Sequence, residues 1–374
     1  MNLLIATDSF KDSLSSLEAG TVMAQAARTI FPRALITVLP LSDGGEGMST
    51  VFAQITGAQM TEAAASDPLG RPITAQYALS KNGTAYIELA AASGLTLLKT
   101  EERNPLNTST FGTGQLIMDA LQRKAKRIVI GLGGSATNDA GTGLLSALGL
   151  KFLNKKGEII EPCGKNLHEI DAIDVSTVTP LIKNVEFIAC CDVNSPLFGP
   201  KGAACVFARQ KGATAKDIEL LDNGLKHFAE IVLPGNLTCN EGDGAAGGTG
   251  FALSAFLHAK LVSGIQFMLS TPVFTKTLEE ADLILTGEGQ MDSQSTMGKA
   301  TWGLLAEARR LGKPICAVAG RVTNRQTAIR AGFLDAVSST PRIMPLQEAT
   351  KPAVARQNIL NATTFMLKQL YRKP

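Results

Sequence analysis

The chain has 374 residues and a formal net charge of +3. Hydrophobic residues make up 45% and charged residues 18%, a globular composition that excludes a disordered chain. Aromatics at 5% and a near-neutral charge supply neither stacking platforms nor a polybasic face, which argues against nucleic acid as a partner.

The length exceeds the roughly 250–300 residues at which one hydrophobic core stops growing, so two domains are expected. No run approaches the ~18–20 apolar residues of a spanning helix, so no membrane partner is expected. The first apolar run, Leu3-Leu4-Ile5-Ala6, is short and is followed at once by Asp8 and Lys11, unlike a secretory signal. Six cysteines without C-x-x-C spacing and three unpaired histidines point to reduced thiols in a cytoplasmic protein and away from zinc. Magnesium stays open, because carboxylates and phosphates can hold it without a dedicated cage.

In chain order, Leu3 to Thr7 reads as a strand. Leu14, Leu17, Val22, Ala26 and Ile30 then mark a helical face that ends near Pro32, and Leu35 to Leu39 is a second strand. Such a β-α-β unit implies parallel strands and a right-handed crossover. The middle differs. Thr74 to Leu79 and Thr84 to Leu89 flank the turn Lys81-Asn82-Gly83, which predicts a hairpin. A helix around Gln115 to Leu121 ends in the basic stretch Arg123-Lys124-Ala125-Lys126-Arg127, a solvated helix end, and leads to the strand Arg127 to Ile130. Val185 to Cys190 is another strand, and Thr214 to Val232 an amphipathic helix. The tail returns to alternation: strands at Ala281 to Thr286, Pro314 to Ala319 and Leu334 to Ser338, with helices around Ala300 to Arg310 and Ala353 to Leu370. The fold class expected is therefore α/β. A parallel, Rossmann-like sheet domain is built from both chain ends (1–60 and 280–374), and a mixed α/β domain is inserted at 61–279.

Glycine carries the chemical signal. Clusters occur at Asp43-Gly44-Gly45-Glu46-Gly47, Gly131 through Asp139, Asp243 through Gly248, Gly287-Glu288-Gly289, and Asp292 through Gly298-Lys299. Three follow an apolar strand, at the carboxyl end where open α/β folds bind ligands, and glycines let backbone amides approach phosphate. Any one cluster is most simply a tight turn. Five that also carry a carboxylate, Ser, Asn or Lys are a different matter. Gly131-Leu132-Gly133-Gly134-Ser135-Ala136 begins as G-x-G-x-x-A, but Ser135, Thr137, Asn138 and Asp139 intervene before the next helical run. Hydroxyls and an amide there suit an anion or a magnesium-bound phosphate, while Asn138 or Asp139 can equally cap that helix. No Walker-type P-loop and no G-x-S-x-G elbow is present. Among the loop acids, Asp192 follows the strand and precedes Asn194-Ser195-Pro196, a place for a general base or a metal ligand as well as for an Asx-turn.

At these residues the chain resembles the type-1 glycerate kinase family of bacteria. The resemblance is carried by Asp8-Ser9-Phe10-Lys11, Ser42 through Gly47, Asp67-Pro68-Leu69-Gly70, Glu88 through Leu95, Gly112-Thr113-Gly114, Gly131 through Gly143, Cys191 through Leu197, Gly244 through Gly248, and Ile284 through Asp292 with Gly298-Lys299, in family order over nearly the whole chain. It departs from the family pattern at Asp12, Ala140, Thr142, Glu241 and Asp243.

The resemblance implies a two-domain α/β enzyme that uses ATP and Mg²⁺ to phosphorylate D-glycerate, with its site in the interdomain cleft. The product implied is 2-phosphoglycerate. In-line transfer of this kind rests on positioning and charge neutralisation. The catalytic residues expected are Asp192, accepting the hydroxyl proton, with Lys11 and Lys299 offsetting phosphate charge. Gly131, Gly133, Gly134, Ser135, Asn138, Gly287 and Gly289 are expected at the nucleotide. Asp8, Ser9, Glu46 and the fork of Arg71 are expected at glycerate, and Asp43, Asp139 and Asp292 at Mg²⁺. A monomer or homodimer is expected. Two other readings remain at this level: a nicotinamide-dependent dehydrogenase of a small hydroxy acid, resting on G-x-G-x-x-A, and a non-catalytic nucleotide-binding module.

Overall fold

A computed structural model describes residues 1–235, 240–292, 300–341 and 343–371. In chain order its strands are β1 (Asn2–Thr7), β2 (Leu35–Val38), β3 (Gln59–Ser66), β4 (Pro72–Leu79), β5 (Thr84–Glu88), β6 (Arg127–Gly131), β7 (Lys151–Leu153) and β8 (Ala172–Asp174). They continue with β9 (Glu186–Cys190), β10 (Lys260–Val262), β11 (Leu283–Gly287), β12 (Gln290–Met291), β13 (Ile315–Ala319), β14 (Arg321–Val322) and β15 (Asp335–Ser338). The described residues divide into two compact units, 1–43 with 265–374, and 44–264.

The first unit is built on a five-stranded sheet of order β15-β13-β11-β1-β2, parallel throughout. Its strands come from both chain ends, as the alternation at the two ends of the sequence predicts. Leu3, Leu4, Ile5 and Ala6 are all buried, the continuous apolar run that a parallel strand covered on both faces requires. Helix α1 (Ser16–Ile30) starts where Ser15 and Glu18 form a reciprocal capping box. Its buried face, with Ala19, Val22, Met23 and Ala27, joins Leu3, Ile5 and Leu285 in one core. A Cβ on Gly20 would come within 2.7 Å of Val38 Cγ1, so glycine lets α1 sit close on the sheet. The carboxy-terminal helix Pro352–Tyr371 packs beside α1 and adds Ile359, Met366 and Leu367 to the same core.

The second unit holds a six-stranded sheet of order β10-β9-β6-β5-β4-β3. Strands β10, β9, β6 and β5 run parallel, β4 pairs antiparallel with β5, and β3 pairs antiparallel with β4. The hairpin predicted around Lys81-Asn82-Gly83 is present, with Leu79 opposite Ala85 and Gly83 at φ +84°. Strand β3, which the sequence did not suggest, pairs with β4 along its whole length from Gln59 to Ser66.

The units meet the chain earlier than the expected limits at 60 and 280. Helix α2 (Met48–Thr56) belongs with the second unit, because Phe52 stacks on Tyr86 of β5 with ring centroids 4.4 Å apart. The helix Pro272–Glu280 belongs with the first, where it packs against β1. Among the described residues, no helix is long and apolar enough to cross a membrane.

Candidate active site

In the second unit, four parallel strands deliver their carboxyl ends to one edge, and the glycine-rich loops follow them. The loop after β6 is held by its neighbours. Leu132 N–H donates to Cys190 O (3.0 Å), Ala136 N–H to Ser93 O (2.9 Å), and Gly134 O accepts from Leu95 N–H (2.9 Å). Gly131 and Gly133 are glycines for a packing reason. A Cβ on Gly131 would lie 2.4 Å from Gly44 O, and one on Gly133 would lie 2.6 Å from Gly45 Cα. The two glycine clusters at 44–47 and 131–134 thus cross backbone to backbone. Gly134 sits at φ +73°, exposed beside them.

Further along the loop the side chains turn inward. Ser135 Oγ accepts from Thr137 N–H (3.1 Å) and lies 3.0 Å from Thr137 Oγ1. Lys211, 3% exposed, reaches this turn from outside the loop. Its Nζ donates to Thr137 O (2.7 Å) and lies 3.4 Å from Ser135 Oγ. Burial pulls the ammonium down to about 8, against an opposing pull from the charge of Asp139. Sequence reasoning missed Lys211, because among Arg209, Lys216 and other surface cations it carries no distinguishing pattern. Asn138 is fully buried, and neither its Oδ1 nor its Nδ2 has a protein partner among the described residues.

Asp139, expected at a metal, does something else. It is fully buried and accepts from Thr110 N–H and Oγ1–H (2.8 Å each), Gly141 N–H (3.2 Å) and Gly143 N–H (3.2 Å). Burial raises its pKa and these donors oppose the rise. Both oxygens are thus engaged by Thr110 and by the amides of Gly141 and Gly143 at the start of the helix Thr142–Ala147, so the carboxylate ties that helix start to Thr110. The helix start at 245–248 runs through left-handed backbone at Ala246, Gly247 and Gly248, and Ala140 N–H donates to Gly247 O (3.0 Å). The G-x-G-x-x-A run therefore opens no helix, as a dinucleotide fingerprint would.

Asp192 lies at the carboxyl end of β9, half-buried. Its Oδ1 accepts from Ser263 Oγ–H (2.9 Å) and Gly264 N–H (3.2 Å), both from the segment that follows β10, so the carboxylate is held in a fixed orientation. Its neighbour Cys191 has its thiol pushed up to about 11, mainly by burial, and is no ready nucleophile. Asp243, one of the departures from the family pattern, is 1% exposed and accepts from Asn240 N–H (2.6 Å) within its own turn.

Of two further residues expected at the substrate, one is already engaged within the protein. Arg71 Nε donates to Asp67 (2.5 Å) and its Nη1 to Glu102 (2.7 Å), so the guanidinium fork already grips two carboxylates instead of serving a substrate. Glu46 is exposed in the loop ahead of α2. The first amides of α2 are taken by Glu88, whose carboxylate accepts from Gly47 N–H (3.0 Å) and Ser49 N–H (2.7 Å).

In the first unit the expected residues gather at the carboxyl ends of β1 and β11, which are adjacent. Asp8 N–H donates to Gly287 O (2.8 Å), and Asp8 Oδ1 accepts from Ser9 N–H (2.7 Å). A Cβ on Gly289 would lie 3.3 Å from Lys11 N, and one on Gly287 would lie 2.3 Å from Val318 O. Asp8, Ser9, Lys11, Gly287 and Gly289 therefore share one loop cluster. Lys11 and Ser9 are exposed, and Asp43 and Asp292 are half-buried in the same unit. Lys299 lies outside the described residues.

Among the described residues no three His, Cys, Asp or Glu side chains gather as a metal cage. Mg²⁺ needs only one or two carboxylates beside substrate phosphates, and the half-buried carboxylates of Asp43 and Asp292 are donors of that chemistry.

The sequence profile of the glycerate kinase family matches residues 3–370. The glycerate kinase of Bacillus cereus is 44% identical over 365 residues, covering 96% of this chain and 95% of its own. The glycerate 2-kinase of Escherichia coli is 41% identical over 360 residues, covering 94% of each chain. A crystal structure from Salmonella typhimurium, provisionally described as glycerate kinase 2, superposes with a TM-score of 0.87 at 37% identity over 99% of this chain and 98% of its own. With this match along the whole chain, the protein belongs to the glycerate kinase family.

Proposed function

We propose that the protein transfers the γ-phosphoryl group of ATP to the 2-hydroxyl of D-glycerate, giving 2-phosphoglycerate and ADP. The observation that carries this reading beyond family membership is the fixed carboxylate of Asp192 at the end of β9, held by Ser263 and Gly264 beside the loop after β6. A carboxylate in such a place accepts the proton of an attacking hydroxyl. Phosphoryl transfer asks little covalent chemistry of the protein, so an oriented base and well-placed positive groups are its main needs.

In this reading the exposed Gly134 and the Ser135 hydroxyl receive phosphate oxygens, with Asn138 behind them. Lys11, with Asp8 and Ser9 on the loop that packs over Gly289, offers charge and hydrogen bonds to an anionic group. Asp43 or Asp292 would hold Mg²⁺. When bound, that ion neutralises phosphate charge. Lys299 keeps its expected role against transferring phosphate. Arg71 and Asp139 have no part in it.

The test is ADP release from MgATP on addition of D-glycerate, repeated with Asp192→Asn. The variant should lose about 10²–10⁴-fold in kcat, the usual worth of a general base, with ATP affinity little changed. Weakened ATP binding at unchanged kcat would remove Asp192 from that role.

A further inference from the structure

The loop after β6 is polar and glycine-rich, yet its own sequence between Gly131 and Asn138 holds no cation. The cation comes from elsewhere in the chain. Lys211 ends a short 3-10 turn, Arg209–Lys211, and is followed by Gly212 at φ +98°. A Cβ on Gly212 would lie 2.0 Å from Arg103 O, so the chain after Lys211 is pressed against the backbone and the side chain is directed by a fixed main chain.

A lysine buried to this degree is costly unless an anion or a set of acceptors meets it. Among the described residues Lys211 makes no ion pair. Asp139, the charged group that acts on it, spends its oxygens on Thr110, Gly141 and Gly143. What Lys211 does hold is the Thr137 carbonyl and the Ser135 hydroxyl. Two acceptors on one turn fix that turn and leave the positive charge uncompensated beneath it. The neighbouring Asn138 amide, fully buried without a protein partner, is a second polar group that this turn holds ready.

We propose that Lys211 is a positioning residue for an anionic ligand. It fixes Ser135 and Thr137 and supplies, from beneath the loop, the charge that a phosphate group at Ser135 compensates. This rests on the reading that nucleotide phosphate binds the loop after β6. The charge acts through Ser135: with Lys211 and Thr137 N–H both directed at Oγ, the hydroxyl is oriented before any ligand arrives, which lowers the ordering cost of binding. The fall of the Lys211 pKa fits an ammonium that lacks its counter-charge until the anion binds.

The experiment is a double-mutant cycle on ATP affinity, measured by calorimetry without glycerate, with Ser135→Ala, Lys211→Gln and Lys211→Met. Gln keeps a donor for Thr137 O but no charge; Met keeps neither. The expected result is an ATP Kd raised about 10- to 100-fold by either Lys211 change, the worth of a charged hydrogen-bond partner. The double variant Ser135→Ala with Lys211→Met should bind little worse than the weaker single variant, because coupled residues are non-additive. Strictly additive losses, or an unchanged Kd alongside a lowered Tm, would show a purely structural lysine and overturn the proposal. If the Lys211 variants do not fold, hydrogen exchange on the wild-type protein decides. ATP should slow exchange at residues 131–139 and 208–213 together, and protection of the first segment alone, or of neither, counts against it. Wild-type transfer to D-glycerate is measured alongside. Its failure with ATP binding intact refutes the proposed function and leaves the cycle readable, whereas normal transfer with additive variants refutes only the role of Lys211.

Discussion

Ala140 and Ala246 both sit at φ +52°, a left-handed backbone that costs an L side chain about 1–2 kcal/mol. Ala140 is also one of the departures from the pattern that the resemblance implies. Ala140→Gly should therefore stabilise the protein, by up to about 1 kcal/mol after the added freedom of the unfolded chain is subtracted. A Tm that falls would mean the methyl group is worth more in packing than its backbone costs. Lys211 gives a pH test. Burial lowers its folded value to about 8, below the ~10.4 of an unfolded lysine, so between those values the unfolded chain binds more protons and stability rises with pH. Lys211→Met lacks this rise. The stability of wild type relative to that variant should climb from pH 8 to pH 10 in denaturant titrations, and a flat difference would mean the ammonium is better solvated than its burial implies. The roles of individual acids were the least legible part of the sequence. Asp139 and Asp192 stand in similar loops at strand ends, and only the donors around each separate them. Asp139 meets amides that open a helix, while Asp192 meets Ser263 and Gly264 from a segment about seventy residues further along the chain.

Among elements, the parallel strands β1, β2, β5, β6, β9, β11, β13 and β15 were legible because each is a short apolar run between turn signals, and α1 because Leu14, Leu17, Val22, Ala26 and Ile30 mark one face, while the short β10, β12 and β14 were not. The amphipathic helix Ala215–Val232 begins where Thr214 and Asp217 repeat the capping box of α1. Strand β3 was not legible. Gln59 to Ser66 holds one β-branched residue and three consecutive alanines, a composition that favours helix, and it is a strand because β4 offers a full-length partner and buries Ala63 and Ala65. The partner of α2 was hidden for a similar reason, since Glu88 reaches its first amides from β5. Glu88→Ala should cost about 1–2 kcal/mol of stability through loss of that cap, with Glu88→Gln losing less. Equal stability of all three proteins in urea would show that the cap is replaced by water. At the crossing of the two glycine loops, Gly131→Ala places a methyl on Gly44 O and should cost about 1–3 kcal/mol or more.

At the scale of the molecule, two compact units each present glycine-rich loops at the carboxyl ends of parallel strands, the edge at which open α/β sheets bind ligands. The fold class and the family were readable because motifs recur in order over almost the whole chain, a signal no single glycine turn provides. Family membership fixes the type of reaction. The hydroxyl that receives the phosphate is best decided by the product itself. Purified protein is incubated with MgATP and D-glycerate, and enolase is added with and without phosphoglycerate mutase. The expected result is ADP release with a product that enolase consumes alone, as 2-phosphoglycerate. A product consumed only when the mutase is present would place the phosphate on the 3-hydroxyl and contradict it.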